Sequence, residues 1–469
     1  MNQTASPPDA GRGASTRKAI IVVITLAVYF IITALPLPDG LEPEGLRAIA
    51  LMVCAIIFWV LDVLPVGVTA IVFAVLQPLL NIVGPGPMAA NFMPTTVFFV
   101  ISCFLIGQAL LETGLGNRIV LLILMAAKNK PRRLLFLLMV IPALISAVIA
   151  NLALSAMMMP LLVKILEENE MKPLESSYAK ALLIGIPVAI SIGGFITPAG
   201  ALPNYQAVAM TEAVTGYSIS FGQWFIFGLP LAVILVPLSY LIIVRVFKPE
   251  VKELKVIDYK SRLKELGPLT LREIMFVVIF ALLIASWFVF PDIPMPISAT
   301  VACGVFFLPK LELLNGASFN KAINWNVMLV FMGSTGLAMA LFQTGAAAWI
   351  AGTVLSPFAN TSVILIIAAL IFLAVYMHLL VPPNPSLVAV LVPIVGLFAL
   401  DAGIPVPLLI LPMVYAINHA FLLPFDPVVG LTYSTGYYTM RDLPKAGIPI
   451  SIVWIVVGSV LMTLLGMNL

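Results

Sequence analysis

Apolar runs broken by short polar stretches make up most of this chain. Runs near 19–36, 46–63, 66–83, 95–113, 221–247, 272–290, 296–309, 326–343 and 446–467 approach or exceed the length of a membrane-crossing helix, roughly 20 residues. Two longer apolar stretches, 134–163 and 361–400, each carry a polar break near the middle, which predicts a helical hairpin that enters and returns on one side. Two others, 180–214 and 406–440, are too long for a single span and are interrupted by Gly and Pro, which predicts discontinuous helices. The pattern as a whole predicts an all-α polytopic membrane protein with about 11 transmembrane helices plus two re-entrant hairpins. The stretch Gly116–Lys128 reads either as a helix lying in the interface or as an extension of the span before it.

The breaks recur. Ala147-Val-Ile-Ala-Asn151-Leu-Ala-Leu-Ser-Ala-Met-Met-Met-Pro160 returns in the second half as Leu380-Val-Pro-Pro-Asn384-Pro-Ser-Leu-Val-Ala-Val-Leu-Val-Pro393. In both copies an Asn interrupts an apolar run and a Pro follows nine positions later. Leu110-Leu-Glu-Thr-Gly114 is echoed by Leu341-Phe-Gln-Thr-Gly345, and Gly193-Gly-Phe-Ile-Thr-Pro198 by His419-Ala-Phe-Leu-Leu-Pro424. Paired helix-breaking polar stretches in two related halves are the pattern of a secondary transporter's substrate site.

Composition agrees: 62% of the 469 residues are hydrophobic, 10% are charged, and the mean hydropathy is +1.13, values no water-soluble surface sustains. The polar stretch Met1–Lys18 reads as a disordered cytoplasmic tail, and the apolar run after it as a first span rather than a cleaved signal. The three cysteines, Cys54, Cys103 and Cys303, lie scattered in apolar segments without disulfide or metal spacing. Lys and Arg set the orientation. With the N-terminus in the cytoplasm and the spans alternating, every Lys and Arg except Arg47 falls inside, which puts the C-terminus outside. The halves are then inverted repeats, 46–247 and 272–467, with the first span (19–36) outside them. Between them the Lys-rich linker 248–271 reads as a solvated cytoplasmic arm. Enzyme chemistry finds no support, since metal-spaced His/Asp/Glu, a phosphate loop following a strand, a nucleophile elbow and an ATPase domain are all missing from the sequence.

At these residues the chain resembles the divalent-anion/sodium symporter family of the ion-transporter superfamily. That resemblance implies inverted repeats with two re-entrant hairpins and two broken helices, a homodimer in a bacterial-type inner (plasma) membrane, and an elevator-type movement. The family's hairpin tips carry Ser-Asn-Thr. Here Ala150-Asn151-Leu152 and Pro383-Asn384-Pro385 keep only the Asn. The resemblance implies that Asn151, Leu152, Pro383, Asn384 and Pro385 face a small anion, with Thr197 and Pro198 of the first broken helix and Asp426 of the second. It also implies a cation-binding set of Ser146, Ala150, Asn151, Gly193, Gly194, Asn384 and Ala420, with sodium as the cation that set would take. Ser146 matches a family sodium-site position, whereas the corresponding place in the second half is Leu379, so one sodium site persists and the other looks damaged. Asn204 and Gly200 complete the first break.

Asp426 aligns with Gly200, and an ionisable group at membrane depth points to function. A carboxylate there repels an anion unless a proton or cation neutralises it. With His378 and His419 nearby in sequence, the three form a candidate proton-coupling set. Glu112, which echoes Gln343, reads as structural. The sequence thus predicts a secondary active transporter of small organic anions, of the di- or monocarboxylate class. Coupling is to sodium or to protons, with no other cofactor, and the partners are the anion, membrane lipid and a second copy of the chain, not nucleic acid. Two alternatives stay open: a cation/proton antiporter of the same superfamily, and an uncoupled anion exchanger.

Overall fold

The computed structural model describes residues 9–255, 259–381, 383–419, 421–424 and 426–467, and all regular structure among them is helical. Helix α1 (Asp9–Ala34) precedes a first arm made of α2 (Pro43–Val60), α3 (Val66–Leu79), α4 (Pro85–Phe92), α5 (Thr96–Thr113), α6 (Leu115–Ala127), α7 (Pro131–Ser146), α8 (Asn151–Glu168), α9 (Ser177–Gly194), α10 (Leu202–Thr215) and α11 (Phe221–Val246). After α12 (Tyr259–Glu265) a second arm follows the same order. It comprises α13 (Leu271–Val289), α14 (Met295–Val305), α15 (Gly316–Ala322), α16 (Trp325–Gln343), α17 (Ala346–Ile350, continued by irregular helical turns to Phe358), α18 (Val363–Met377), α19 (Asn384–Asp401), α20 (Val406–Ile417), α21 (Pro427–Tyr433) and α22 (Asp442–Gly466). Each helix from α2 to α11 has its counterpart, in sequence, among α13 to α22.

Packing repeats as well. α3 lies on α16 while α14 lies on α5, α7 on α9 while α18 lies on α20, and α10 on α19 while α21 lies on α8. Polar clamps obey the same rule. In one arm's pairing Glu112 of α5 accepts from Ser318 of α15 (2.7 Å), and in the other Gln343 of α16 exchanges two hydrogen bonds with Asn91 of α4 (3.1 and 3.3 Å). The structural reading of Glu112 fits this arrangement.

Proline and glycine set the helix ends. Proline occupies the first turn of α2, α4, α7, α10, α14, α19, α20 and α21, where the missing N–H has no partner to lose. Gly114 and Gly345 adopt φ of +80° and +73° and close α5 and α16, a conformation that costs other residues. Gly116–Lys128 therefore belongs to a helix of its own, α6, and not to an extension of α5.

Among the described residues, nine helices are long and apolar enough to cross a membrane. The expected spans agree with the helices to within a few residues, with three differences. Helix α1 begins at Asp9, after Pro7-Pro8, so half of the stretch read as a tail is helical. The second discontinuous helix stops at Tyr433 instead of 440, because Gly436 turns the chain at φ +75°. The linker is not a free arm. Glu250 accepts from Ser176 Oγ (2.5 Å) and the Tyr178 N–H (2.8 Å) at the start of α9, and the Leu254 N–H donates to Asn129 O (2.9 Å). Lys255 meets Asn169 through its N–H and Glu170 through Nζ. That contact holds the Glu170 carboxyl below its usual range. Its small contribution, made by an exposed group, is therefore present above the ordinary carboxylate pKa and fades as pH falls through the lowered one.

At the linker's other end, half-buried Arg118 of α6 pairs with Glu273 of α13 (2.9 Å) and donates to the carbonyl oxygens of Gly267 (2.9 Å) and Pro268 (3.2 Å). Lysine keeps the charge but not the fork. Arg118→Lys is expected to cost about 2 kcal/mol, read as a lower unfolding midpoint in detergent. An unchanged midpoint would show the clamp to be idle.

The chain forms two compact units. Met1–Pro94 with Trp325–Ser356 makes one, and Thr95–Asn324 with Pro357–Leu469 makes the other. In the first, Gly333 of α16 sits against Ala70 of α3 so closely that a methyl group there would lie 2.6 Å from the Ala70 Cβ. Small residues at such crossings replace the hydrophobic driving force that lipid does not supply. The second unit contains α5 to α15 and α18 to α22, and with them both helical hairpins and both helix breaks.

Candidate substrate and cation site

Helix α7 ends at Ser146 and α8 begins at Asn151, so the turn between them holds the first predicted tip. Ser146 is fully buried, and its Oγ lies 2.5 Å from Asn151 Oδ1 and 2.7 Å from Ile190 O of α9. A serine has one hydroxyl hydrogen. Three oxygens therefore share a single proton. Turning the Asn151 amide over would close this chain with its own N–H.

Helix α9 breaks after Gly194 and resumes as α10 at Leu202. Both glycines are required by close approach. A methyl on Gly193 would lie 2.5 Å from the Ala143 Cα and backbone carbon of α7, and one on Gly194 would lie 2.5 Å from Asn151 Nδ2. At Gly200 a methyl would fill a cradle formed by the carbonyl oxygens of Gly194, Ser146 (2.6 Å) and Ala147 (2.9 Å). Thr197 staples the break to the tip, since its hydroxyl donates to Ala147 O and accepts from the Ala199 N–H (3.1 Å). Pro198 is buried beside it. Asn204 donates to Gly194 O (2.7 Å) and Thr197 O (2.8 Å), which satisfies carbonyls that the broken helix leaves over.

Ser146, Asn151, Gly193, Gly194 and Thr197 thus come together, and buried Ala150 caps α8 beside them. The assembled donors are all oxygen, from carbonyls, a hydroxyl and an amide, and such a set suits a small hard cation. No cluster of His, Cys, Asp and Glu able to hold a metal occurs among the described residues. Asn151 and Leu152 are half-buried, with Asn151 at the first position of α8, where helix N–H groups lack partners.

In the second half Pro383 caps α19, half-buried Asn384 opens it, and Pro385 is buried in its first turn. The Asn384 side chain makes no hydrogen bond to a described residue, so its amide is uncommitted. Beside the sequence match Leu379 stands His378. His378 Nε2 lies 2.5 Å from Ile417 O near the end of α20, as Ser146 reaches a carbonyl of α9, while Leu379 is exposed.

His419 follows α20, fully buried, with Nε2 2.9 Å from Ser451 Oγ and Nδ1 without a partner. Asp426 caps α21 through the Val428 N–H (2.8 Å), with Pro427 next to it. Each of the three candidate proton-coupling groups is therefore engaged in a different local bond. Ala420 lies outside the described residues. Aromatic rings pack around this region. Phe195 stacks on Tyr415 and meets Trp454, Trp224 Nε1 donates to Phe195 O (2.8 Å), and His419 lies against Phe421 and Trp454.

Asn418, which the sequence reading passed over, joins this group. It is buried, and its Nδ2 donates to Asn204 Oδ1 (2.9 Å) and to Val414 O (3.2 Å). Its signal was present as a polar residue closing the apolar run before His419.

Apolar spans, paired hairpins opening on an Asn and two broken helices define a polytopic membrane transporter and not an enzyme. The sequence profile of the sodium:sulfate symporter transmembrane region matches residues 16–469, and the chain belongs to that family. It is 23% identical over 466 residues to the sodium-dependent dicarboxylate transporter SdcS of Staphylococcus saprophyticus, covering 93% of this chain and 89% of that one. It is 24% identical over 462 residues to SdcS of Staphylococcus aureus, covering 92% and 88%. The solved structure of Neisseria gonorrhoeae MtrF, reported as one of a class of antimetabolite efflux pumps, shares the fold at a TM-score of 0.56 and 13% identity, covering 96% of this chain and 94% of that one.

Proposed function

We propose that this protein is a cation-coupled secondary transporter of small organic anions, with a dicarboxylate of the succinate type as its first candidate substrate. The observation that carries the reading is the oxygen cluster of Ser146, Asn151 and the Gly200 cradle, set against the unpaired N–H groups at the start of α8. Sodium bound there would supply positive charge beside the anion. The need for it is energetic, because each uncompensated charge moved against 100 mV costs roughly 2.3 kcal/mol. The names of the staphylococcal relatives support both the dicarboxylate and the sodium.

In this reading Asn151, Asn384, Leu152, Pro383, Pro385, Thr197 and Pro198 surround the anion, with the tip hydroxyls replaced by amides and helix N–H groups. The two arms are inverted repeats, and the reciprocal packing supports this. The hairpins and broken helices move together in an elevator within a homodimer, with the N-terminus cytoplasmic and the C-terminus outside in a bacterial-type plasma membrane. Protons are the second coupling candidate, favoured by the buried, unpartnered Nδ1 of His419, with His378 and Asp426 as its companions.

A thermal-shift screen of small carboxylates, sulfonates and sulfate, each with and without sodium, tests the assignment. The expected result is a rise with a dicarboxylate that grows when sodium is present. Stabilisation by sodium alone, with no anion effect, together with sodium-driven collapse of a pH gradient in liposomes, would instead establish a cation/proton antiporter. Counterflow indifferent to both sodium and pH would establish an uncoupled exchanger.

A further inference from the structure

A side-chain hydrogen bond joins the chain around the first helix break directly to the chain around the second, from Asn418 Nδ2 to Asn204 Oδ1 (2.9 Å). Both side chains are buried, at 0% exposure for Asn204 and 2% for Asn418. The bond is the middle of a longer chain of contacts. Asn204 spends both N–H groups on Gly194 O and Thr197 O, so its remaining acceptor is the one Asn418 uses. Asn418 spends its other N–H on Val414 O, in the last turn of α20. Gly194 O is also one of the three carbonyls that line the Gly200 cradle. A cation drawn to that cradle competes for the oxygen that Asn204 holds. Any adjustment of Asn204 then passes to Asn418, and from Asn418 to the second break that it opens.

We infer that Asn418 is a positioning residue, whose amide bridge to Asn204 makes the geometry of the second break depend on cation occupancy at the first. The inference rests on the cation-coupled reading proposed above and names the part that links its two halves. Neither amide carries charge, so the link costs no buried ion. Buried as both side chains are, the bond is stronger than a solvated one would be.

The variant that isolates this role is Asn418→Ser, whose hydroxyl can return to Val414 O four residues back but is too short to reach Asn204. Asn418→Leu serves as the second variant, because it fills the volume without any donor. Two readouts on the full-length protein decide the matter. The first is the ratio of succinate affinities with and without sodium. A lost amide hydrogen bond predicts that this ratio falls about three- to tenfold in the variants. A purely structural role would weaken binding equally in both conditions and leave the ratio unchanged.

The second readout needs no anion. A cysteine introduced by Ser434→Cys, exposed just beyond α21, is labelled with a maleimide, the three native cysteines being buried. Sodium is expected to change the labelling rate when Asn418 is present and to leave it unchanged with either variant. An equal sodium effect with and without Asn418, or no sodium effect in its presence, overturns the inference. Failure of the wild-type protein to bind succinate overturns the anion assignment instead, and the labelling result still decides the role of Asn418.

Discussion

Gly193→Ala is expected to abolish transport, with a loss of about a hundredfold or more, and to lower the unfolding midpoint as well. The added methyl would sit 2.5 Å from both the Cα and the backbone carbon of Ala143, and no side chain can swing aside to relieve it. Helix α7 has to move, carrying Ser146 and the tip with it. Overpacking of this kind costs about 1–3 kcal/mol, and displacement of the site by an ångström costs far more in activity than in stability. Gly194→Ala supplies the contrast. The atoms nearest its methyl all belong to the Asn151 amide, which can rotate away. That variant is therefore expected to keep its unfolding midpoint while losing uptake. Equal activity of both variants with wild type, measured on the purified proteins, would show that the approach of α9 to the α7–α8 turn does not build the site.

The second large effect separates the two ligands. Asn151→Ala removes the amide from the oxygen cluster and from the start of α8, and both sodium and anion binding are expected to fall. Asn151→Asp keeps an oxygen beside Ser146 and adds a negative charge. The carboxylate attracts the cation and repels the anion, at about 4 kcal/mol for a like-charge contact at 4 Å in an effective dielectric of 20. Sodium-induced thermal stabilisation should therefore persist or grow in Asn151→Asp while succinate uptake disappears. Retained uptake in Asn151→Asp, or unchanged sodium and anion binding in Asn151→Ala, would contradict the assignment.

Much of this architecture can be read from sequence because lipid imposes it. A spanning helix must be apolar and of a set length, so the ends of α2, α5, α11, α13 and α16 fall within a few residues of the apolar runs. Asn151 and Asn384 stand out because a polar residue inside such a run is costly without a purpose. Other features depend on which carbonyl a side chain meets, and sequence spacing does not carry that information. Alignment points to Leu379 as the partner of Ser146, yet the side chain that reaches a carbonyl of the next helix there is that of His378, at Ile417 O. The Asn204–Asn418 bridge joins residues 214 positions apart, and Asp426 turns out to cap α21. The linker, charged and Lys-rich, reads as solvent-exposed, yet Glu250 and Arg118 fasten it through hydrogen bonds to partners far away in the chain.

The central claim is that cation binding at the α7–α8 turn drives uptake of an organic anion. Radiolabelled succinate uptake into proteoliposomes under an inward sodium gradient tests it most directly, with potassium and an inward proton gradient as the comparison arms. The account predicts accumulation above equilibrium with sodium, little with potassium or protons, and none in Asn151→Ala. Accumulation driven equally well by potassium, or sodium-driven accumulation undiminished in Asn151→Ala, would contradict it.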